Sequence, residues 1–272
     1  MTAVIALLTD FGVQDSYVGV MKGVIARSVS NTTVIDITHA IRPQDILHGA
    51  YTLSISVPYF PRRTIFCCVV DPGVGSNRHP IAVRAGEWLF VAPDNGLLSL
   101  LFQRYPPSEA VILNNPVFHL RSISSTFHGR DIFARVAAHL AEGKPMSDMG
   151  DALDPSALRR LEIPVPLRID NQVEGIILHI DHFGNIITSL RRDHLEVGDQ
   201  WLFFIHDTPI TQWIYATYTD VAIGDTVAYV GSDGYLEIAI RNGNAAAKYG
   251  VAVGMKVRAT QTVEQSVERP VE

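Results

Sequence analysis

Two cysteines are all the chain contains, and they are adjacent: Cys67 and Cys68 stand inside the apolar run IFCCVV. Such a pair builds neither a disulfide framework nor a cysteine metal site. The two read as small buried hydrophobes that leave a strand on opposite faces. The 10 histidines include no HxH or HExxH spacing, so the usual signature of a bound catalytic zinc is missing. Basic excess is missing too. With 22 Lys and Arg against 28 Asp and Glu the net charge is -6, which gives no electrostatic footprint for nucleic acid or an anionic membrane. No apolar run reaches the ~18 residues of a membrane helix, and the opening MTAVIALLTDFG shows neither a basic n-region nor a cleavage site. The expectation is a cytoplasmic protein that handles a small molecule.

What the chain does have is apolar residues, 47% of 272, enough for a substantial core and suited to two domains. Strand and helix signals alternate through the first half. VIALLTD, TVIDI, TIFCCVVD, IAVRA, WLFVAPDNG and EAVIL read as strands. Asp15 is placed to cap the helix SYVGVMKGVIARSV, Pro43 to open the next, and GLLSLLFQR and GRDIFARVAAHLAEG supply two more. This predicts an α/β layered sheet domain over residues 1–165. Repeated proline in DP and IPVP marks a linker. Beyond it, short strands at even spacing (GIILHID, NIITSL, DQWLFFI, DTVAYVG, GYLEIAI) predict an all-β barrel over 166–258, followed by a polar tail over 259–272.

Three strands of the first domain end in an acid and glycine: TDFG at Asp10, VDPG at Asp71 and PDNG at Asp94. One such ending is a turn; three crowd carboxylates along the edge where open α/β sheets bind ligands. STFHGRDIF adds His128 and Arg130 ahead of a helix. IDHFGN in the second domain offers a carboxylate, an aromatic face and an amide at Asp181, Phe183 and Asn185, which suits an aromatic heterocycle with a polar edge. Oxygen and nitrogen donors of this kind also suit a metal-dependent hydrolase, although the ligand reads as organic rather than metallic. Each residue taken singly has a structural alternative: Asp10 and Asp94 as turn caps, Arg78 as a surface charge, Arg130 as a partner of Asp131.

Taken in order, TDFGVQDSYVGVMKGVI, VVDPGVGSNR, APDNG, TFHGRDIF, IDHFGNIIT and GYLEIAI resemble the S-adenosyl-L-methionine hydroxide adenosyltransferase family, whose members are related to adenosyl-transferring chlorinases and fluorinases. The resemblance implies an enzyme that converts S-adenosylmethionine and water to adenosine and methionine without a cofactor. It also implies homotrimers, with each active site between the N-terminal domain of one subunit and the C-terminal domain of its neighbour. Carried over by motif, Asp71, Arg78 and His128 hold and activate the attacking water, with the base among them left open. Asp10 binds the ribose hydroxyls and Asp15 lies near the methionine. Asp181 and Ser232 address the methionine amino and carboxylate groups, and Phe183 and Asn185 hold the adenine. Where halogenating relatives carry arginine after the serine, this chain has Asp233, so the carboxylate contact differs. A halogenase and a non-catalytic binding module are the alternatives.

Overall fold

Continuous apolar runs make parallel strands that are covered on both faces. The first of them, β1 (Ala3–Thr9), is fully buried from Ile5 onward. The computed structural model describes residues 2–195, 200–211 and 213–262, and the chain divides into two units, Met1–Leu161 and Glu162–Glu272. Among the described residues no helix is long and apolar enough to cross a membrane.

The first unit continues with α1 (Tyr17–Ser28), β2 (Thr32–Thr38), α2 (Ile46–Ser56), β3 (Ile65–Val69), β4 (Pro80–Ala85), β5 (Trp88–Pro93), α3 (Ser99–Arg104), β6 (Pro107–Ile112), α4 (Ala134–Ala141) and β7 (Ala152–Leu153). Its seven strands lie in the order β2, β1, β3, β5, β4, β6, β7. The first four are mutually parallel, and β4, β6 and β7 are antiparallel additions. Alternation along β3 sends Cys67 into the core with Met21, Ile25 and Phe133, and Cys68 into the opposite core with Leu53, Phe66 and Phe90. Burial pushes the Cys67 thiol up to about 12, so it is an inert packing group.

Helix starts differ from the expectation in two places. Ser16, not Asp15, occupies the N-cap of α1, and its side chain makes no capping bond. The second helix begins at Ile46, because Asp45 accepts from the His48 amide and so nucleates the first turn three residues after Pro43. The segment GRDIF opens its helix as a π-turn, Gly129–Phe133, before α4 takes over.

The second unit comprises β8 (Leu167–Ile169), β9 (Gln172–Ile180), β10 (Ile186–Arg191), β11 (Gln200–Ile205), β12 (Thr208–Thr211), β13 (Ile214–Tyr215), β14 (Thr226–Val230), β15 (Tyr235–Ile240), α5 (Ala245–Tyr249) and β16 (Lys256–Thr262). All nine strands belong to one sheet, running β12, β11, β16, β9, β10, β15, β14, β13, with β8 beside β9. Trp201, Phe203, Ile177, Leu236 and Ile238 fill its core. The unit carries a helix, α5, so it is not wholly β. The supposed polar tail begins later than expected, since residues 259 to 262 complete β16 and pair with β11 and β9. Alternation explains this: Val257 and Ala259 point inward and are fully buried while their neighbours are polar. The rest of that tail lies outside the described residues.

Candidate active site

Strand order decides which acids meet. Because β1, β3 and β5 are parallel neighbours, TDFG, VDPG and PDNG leave the sheet at the same edge. Their carboxylates are nevertheless used differently. Asp94 is buried and its Oδ1 accepts from the Arg159 amide at 2.9 Å. Asp10 Oδ2 accepts from the Gln44 amide at 2.8 Å, and no donor reaches its Oδ1 among the described residues. Of these three, Asp71 alone is paired with a cation among the described residues.

That cation is Arg78, seven residues on. Turns from Asp71 O to Val74 N and from Gly73 O to Ser76 N coil the loop back on itself, so the guanidinium returns to the carboxylate that preceded it. Arg78 Nε donates to both Asp71 oxygens at 3.0 Å, Nη2 donates to Oδ2 as well, and the guanidinium lies over the Phe133 ring, 5.3 Å from its centroid. The two side chains are only 4% and 5% exposed, so the pair is almost dry.

His128 completes the group. Gly75, at φ +78, lets the VDPG loop approach the STFHGR loop so closely that a Cβ would stand 2.6 Å from the Ser125 carbonyl oxygen. Across this contact Arg78 Nη2 lies 2.8 Å from His128 Nδ1. A guanidinium only donates, so Nδ1 is the acceptor and the ring proton of the neutral imidazole sits on Nε2. Burial first, and then the Arg78 charge, holds His128 below its ordinary range, against the opposing pull of Asp71 and Asp131. Asp131 is itself satisfied by Arg130 and by the Ser124 amide, so Arg130 is structural. Arg78 Nη1 donates no hydrogen bond among the described residues, which leaves two guanidinium hydrogens to meet a ligand. Among the same residues no group of three His, Cys, Asp or Glu side chains is arranged to hold a metal ion.

Asp15 is exposed on the approach to α1. Asn95, adjacent to Asp94, does more than the turn reading suggested: its Nδ2 donates to Val70 O at 2.8 Å and pins the residue that precedes Asp71.

In the second unit, the loop after β9 gathers Asp181, Phe183 and Asn185. Asp181 Oδ1 accepts from the amides of Phe183 and Asn185 at 2.9 and 2.8 Å, and its Oδ2 accepts from Asn185 Nδ2 at 2.8 Å. Gly184, at φ +84, sits against Asn244, the cap of α5, where any Cβ would lie 2.2 Å from that side chain. The loop therefore leaves Phe183 71% exposed while burying Asn185. Ser232 is exposed in the turn joining β14 to β15, beside Asp233. Burial, helped by Asp181 and Asp233, raises Glu237 on β15 despite the hydrogen bond it receives from Tyr229, so Glu237 lies within electrostatic reach of both carboxylates. Composition gave no signal for Tyr229 and Glu237, because alternate residues of a strand look alike whether they face water or one another, nor for Tyr218, which stands in the short 3-10 turn Tyr218–Asp220.

Comparison with known proteins agrees with this division. The model of the SAM hydroxide adenosyltransferase N-terminal domain matches residues 5–150, and that of the C-terminal domain matches residues 175–258. A Thermus thermophilus protein named (R)-S-adenosyl-L-methionine hydrolase is 39% identical over 92% of this chain and 97% of its own. A protein of Actinopolyspora mzabensis named fluorinase is 30% identical over 95% and 97%. The crystal structure of an uncharacterized conserved protein from Thermotoga maritima superposes with a TM-score of 0.89 at 33% identity, covering 94% of this chain and 99% of that one. With both family domains matched in order and each of the six motifs in place, the chain belongs to the SAM hydroxide adenosyltransferase family.

Proposed function

We propose that the protein hydrolyses S-adenosyl-L-methionine to adenosine and L-methionine, and that the water is activated by Asp71, Arg78 and His128. The single observation that carries this reading is the dry ion pair at the carboxyl end of β3, with a neutral histidine locked to it. Sulfonium is already a good leaving group, so what the reaction lacks is a nucleophile in line with the C–S bond. Water donates one hydrogen to a remaining lone pair of Asp71, while its oxygen lies against the Arg78 hydrogens that stabilise charge as it develops. The oxygen then bonds to the ribose 5′ carbon and the C–S bond breaks with its electron pair on sulfur. The proton leaves through Asp71 to solvent. His128 holds the guanidinium in place through Nδ1 and offers Nε2–H as a further donor. No cofactor is required.

In this reading Asp10 Oδ1 takes the ribose hydroxyls, Asp15 lies near the methionine, and Phe183 and Asn185 take the adenine. Asp181 and Ser232 take the methionine amino and carboxylate groups, with Asp233 beside Ser232 in place of a cation. In the same reading the second unit serves as the C-terminal barrel domain, with α5 as an addition to it, and the protein acts in the cytoplasm. Purified protein incubated with S-adenosylmethionine is expected to release adenosine and methionine with or without chloride, as read by mass. A carboxylate beside the nucleophile pocket repels a halide, so 5′-chloro-5′-deoxyadenosine as the main product would identify a halogenase instead. Ligand binding without methionine release would identify a binding module.

The chemistry lies on the first unit and the purine groups on the second, which fits a homotrimer whose sites join the N-terminal domain of one subunit to the C-terminal domain of its neighbour. Asp71→Ala and Asn185→Ala proteins, each nearly inactive, are then expected to regain activity when co-assembled, because a mixed trimer contains some intact sites. Mixed assemblies that show no rescue would place the whole site within one chain.

A further inference from the structure

A line of hydrogen bonds runs from Asn185 into the second unit. Asn185 Nδ2 lies 3.3 Å from the Tyr218 hydroxyl, Tyr218 meets the Tyr229 hydroxyl, and Tyr229 meets Glu237 Oε2. Its direction follows from the end groups. Tyr229 remains a phenol, its ionisation strongly opposed by burial and by Glu237, and it donates to the carboxyl oxygen. Having given its hydrogen inward, the Tyr229 oxygen accepts from Tyr218. The Tyr218 oxygen in turn accepts from Asn185, so the group facing it is the amide NH2. Asp181 Oδ2, an acceptor, demands the same NH2 from the other side.

Two features show that this is a built arrangement. Tyr229 and Glu237 stand directly opposite each other in the register of β14 and β15. Gly231 is placed so that a Cβ would lie 2.0 Å from Glu237 Oε1; its φ is ordinary, so the space itself is what a side chain would take from the carboxyl group.

We propose that Glu237, acting through Tyr229 and Tyr218, joins Asp181 in fixing the Asn185 amide with Oδ1 outward, and thereby strengthens selectivity for a 6-amino over a 6-oxo purine. This rests on the reading that Asn185 meets the purine. The three are positioning residues. With both amide hydrogens committed, and no donor to Oδ1 among the described residues, that oxygen is left to accept from a ligand N–H. Adenine offers its exocyclic amine, whereas a 6-oxo purine presents an oxygen at the same place, and two acceptors facing each other in a buried site are strongly disfavoured.

The test compares kcat/KM for S-adenosyl-L-methionine and its 6-oxo analogue, S-inosyl-L-methionine, in the wild type and in Tyr218→Phe, Glu237→Gln and Asn185→Ala proteins whose folding is verified by thermal melts. The wild type is expected to prefer the amino substrate by at least ~10-fold. Glutamine at position 237 donates as well as accepts and lets the line reverse, and phenylalanine at 218 removes it. Asp181 still takes one amide hydrogen in both variants, so both are expected to reduce the preference by at least about 3-fold without abolishing it, with KM rising more than kcat falls. An undiminished preference in both variants, or none in the wild type, overturns the proposal. An Asn185→Ala protein with unchanged KM overturns the underlying reading instead, since the purine then does not meet Asn185.

Discussion

An Asp71→Asn protein is expected to lose at least ~100-fold in kcat, and His128→Ala a similar amount, with KM nearly unchanged. Asparagine keeps the shape of the side chain but turns an NH2 group toward the Arg78 fork, where both carboxylate oxygens now accept. The guanidinium then has no reason to stay, and the water has no acceptor. Alanine at 128 removes the acceptor that holds Nη2, so the cation is free to tilt away from the nucleophile. Methionine release under steady-state and single-turnover conditions separates chemistry from binding. Turnover within a few-fold of the wild type in both proteins would refute the trio, although the purine assignment could survive.

The same geometry predicts a pH profile. His128 serves as an acceptor only when neutral, and its pKa lies below the ordinary value of about 6.5 because of burial and then the Arg78 charge. The acid limb of kcat is therefore expected below pH 6.5.

The second large effect is on stability as well as rate. Arg78→Ala is expected to destabilise the protein by about 3–5 kcal/mol, the usual consequence of stranding one member of a buried ion pair. Asp71, with a side chain 5% exposed, then stands without its partner. Turnover falls by more than ~100-fold, since the donors to the developing hydroxide go with the side chain. A double variant, Asp71→Asn with Arg78→Ala, removes the stranded charge. It is expected to recover much of the stability and none of the activity. Denaturant unfolding at fixed protein concentration reads the first quantity and methionine release the second. A single variant less than about 1 kcal/mol down and close to full turnover would show that the pair is neither buried nor catalytic.

Much of this protein is legible without coordinates, because periodicity and turn chemistry are local. The strands ending at Asp10, Asp71 and Asp94 could be read from apolar runs cut by acid and glycine, and Cys67 and Cys68 from simple alternation. The ordered motifs carried the family and nominated Asp71, Arg78 and His128. Local reading went astray where a neighbour in space outbid the sequence. Asp45, bonded to the His48 amide, set the start of α2 rather than Pro43, and pairing with β11 and β9 drew residues 259 to 262 into a strand.

Only the tertiary structure decided what each polar group is for. Three equivalent-looking acids were told apart by distant partners: the Arg159 amide claims Asp94, the Gln44 amide claims one oxygen of Asp10, and Arg78 claims Asp71. The contact between Arg78 and His128 spans fifty positions, and the line from Asn185 to Glu237 depends on the register of two strands. Such choices are made by hydrogen bonds that a buried donor or acceptor must find somewhere. Composition and spacing say that the groups exist; only the packed chain says which of them are left over to meet a substrate.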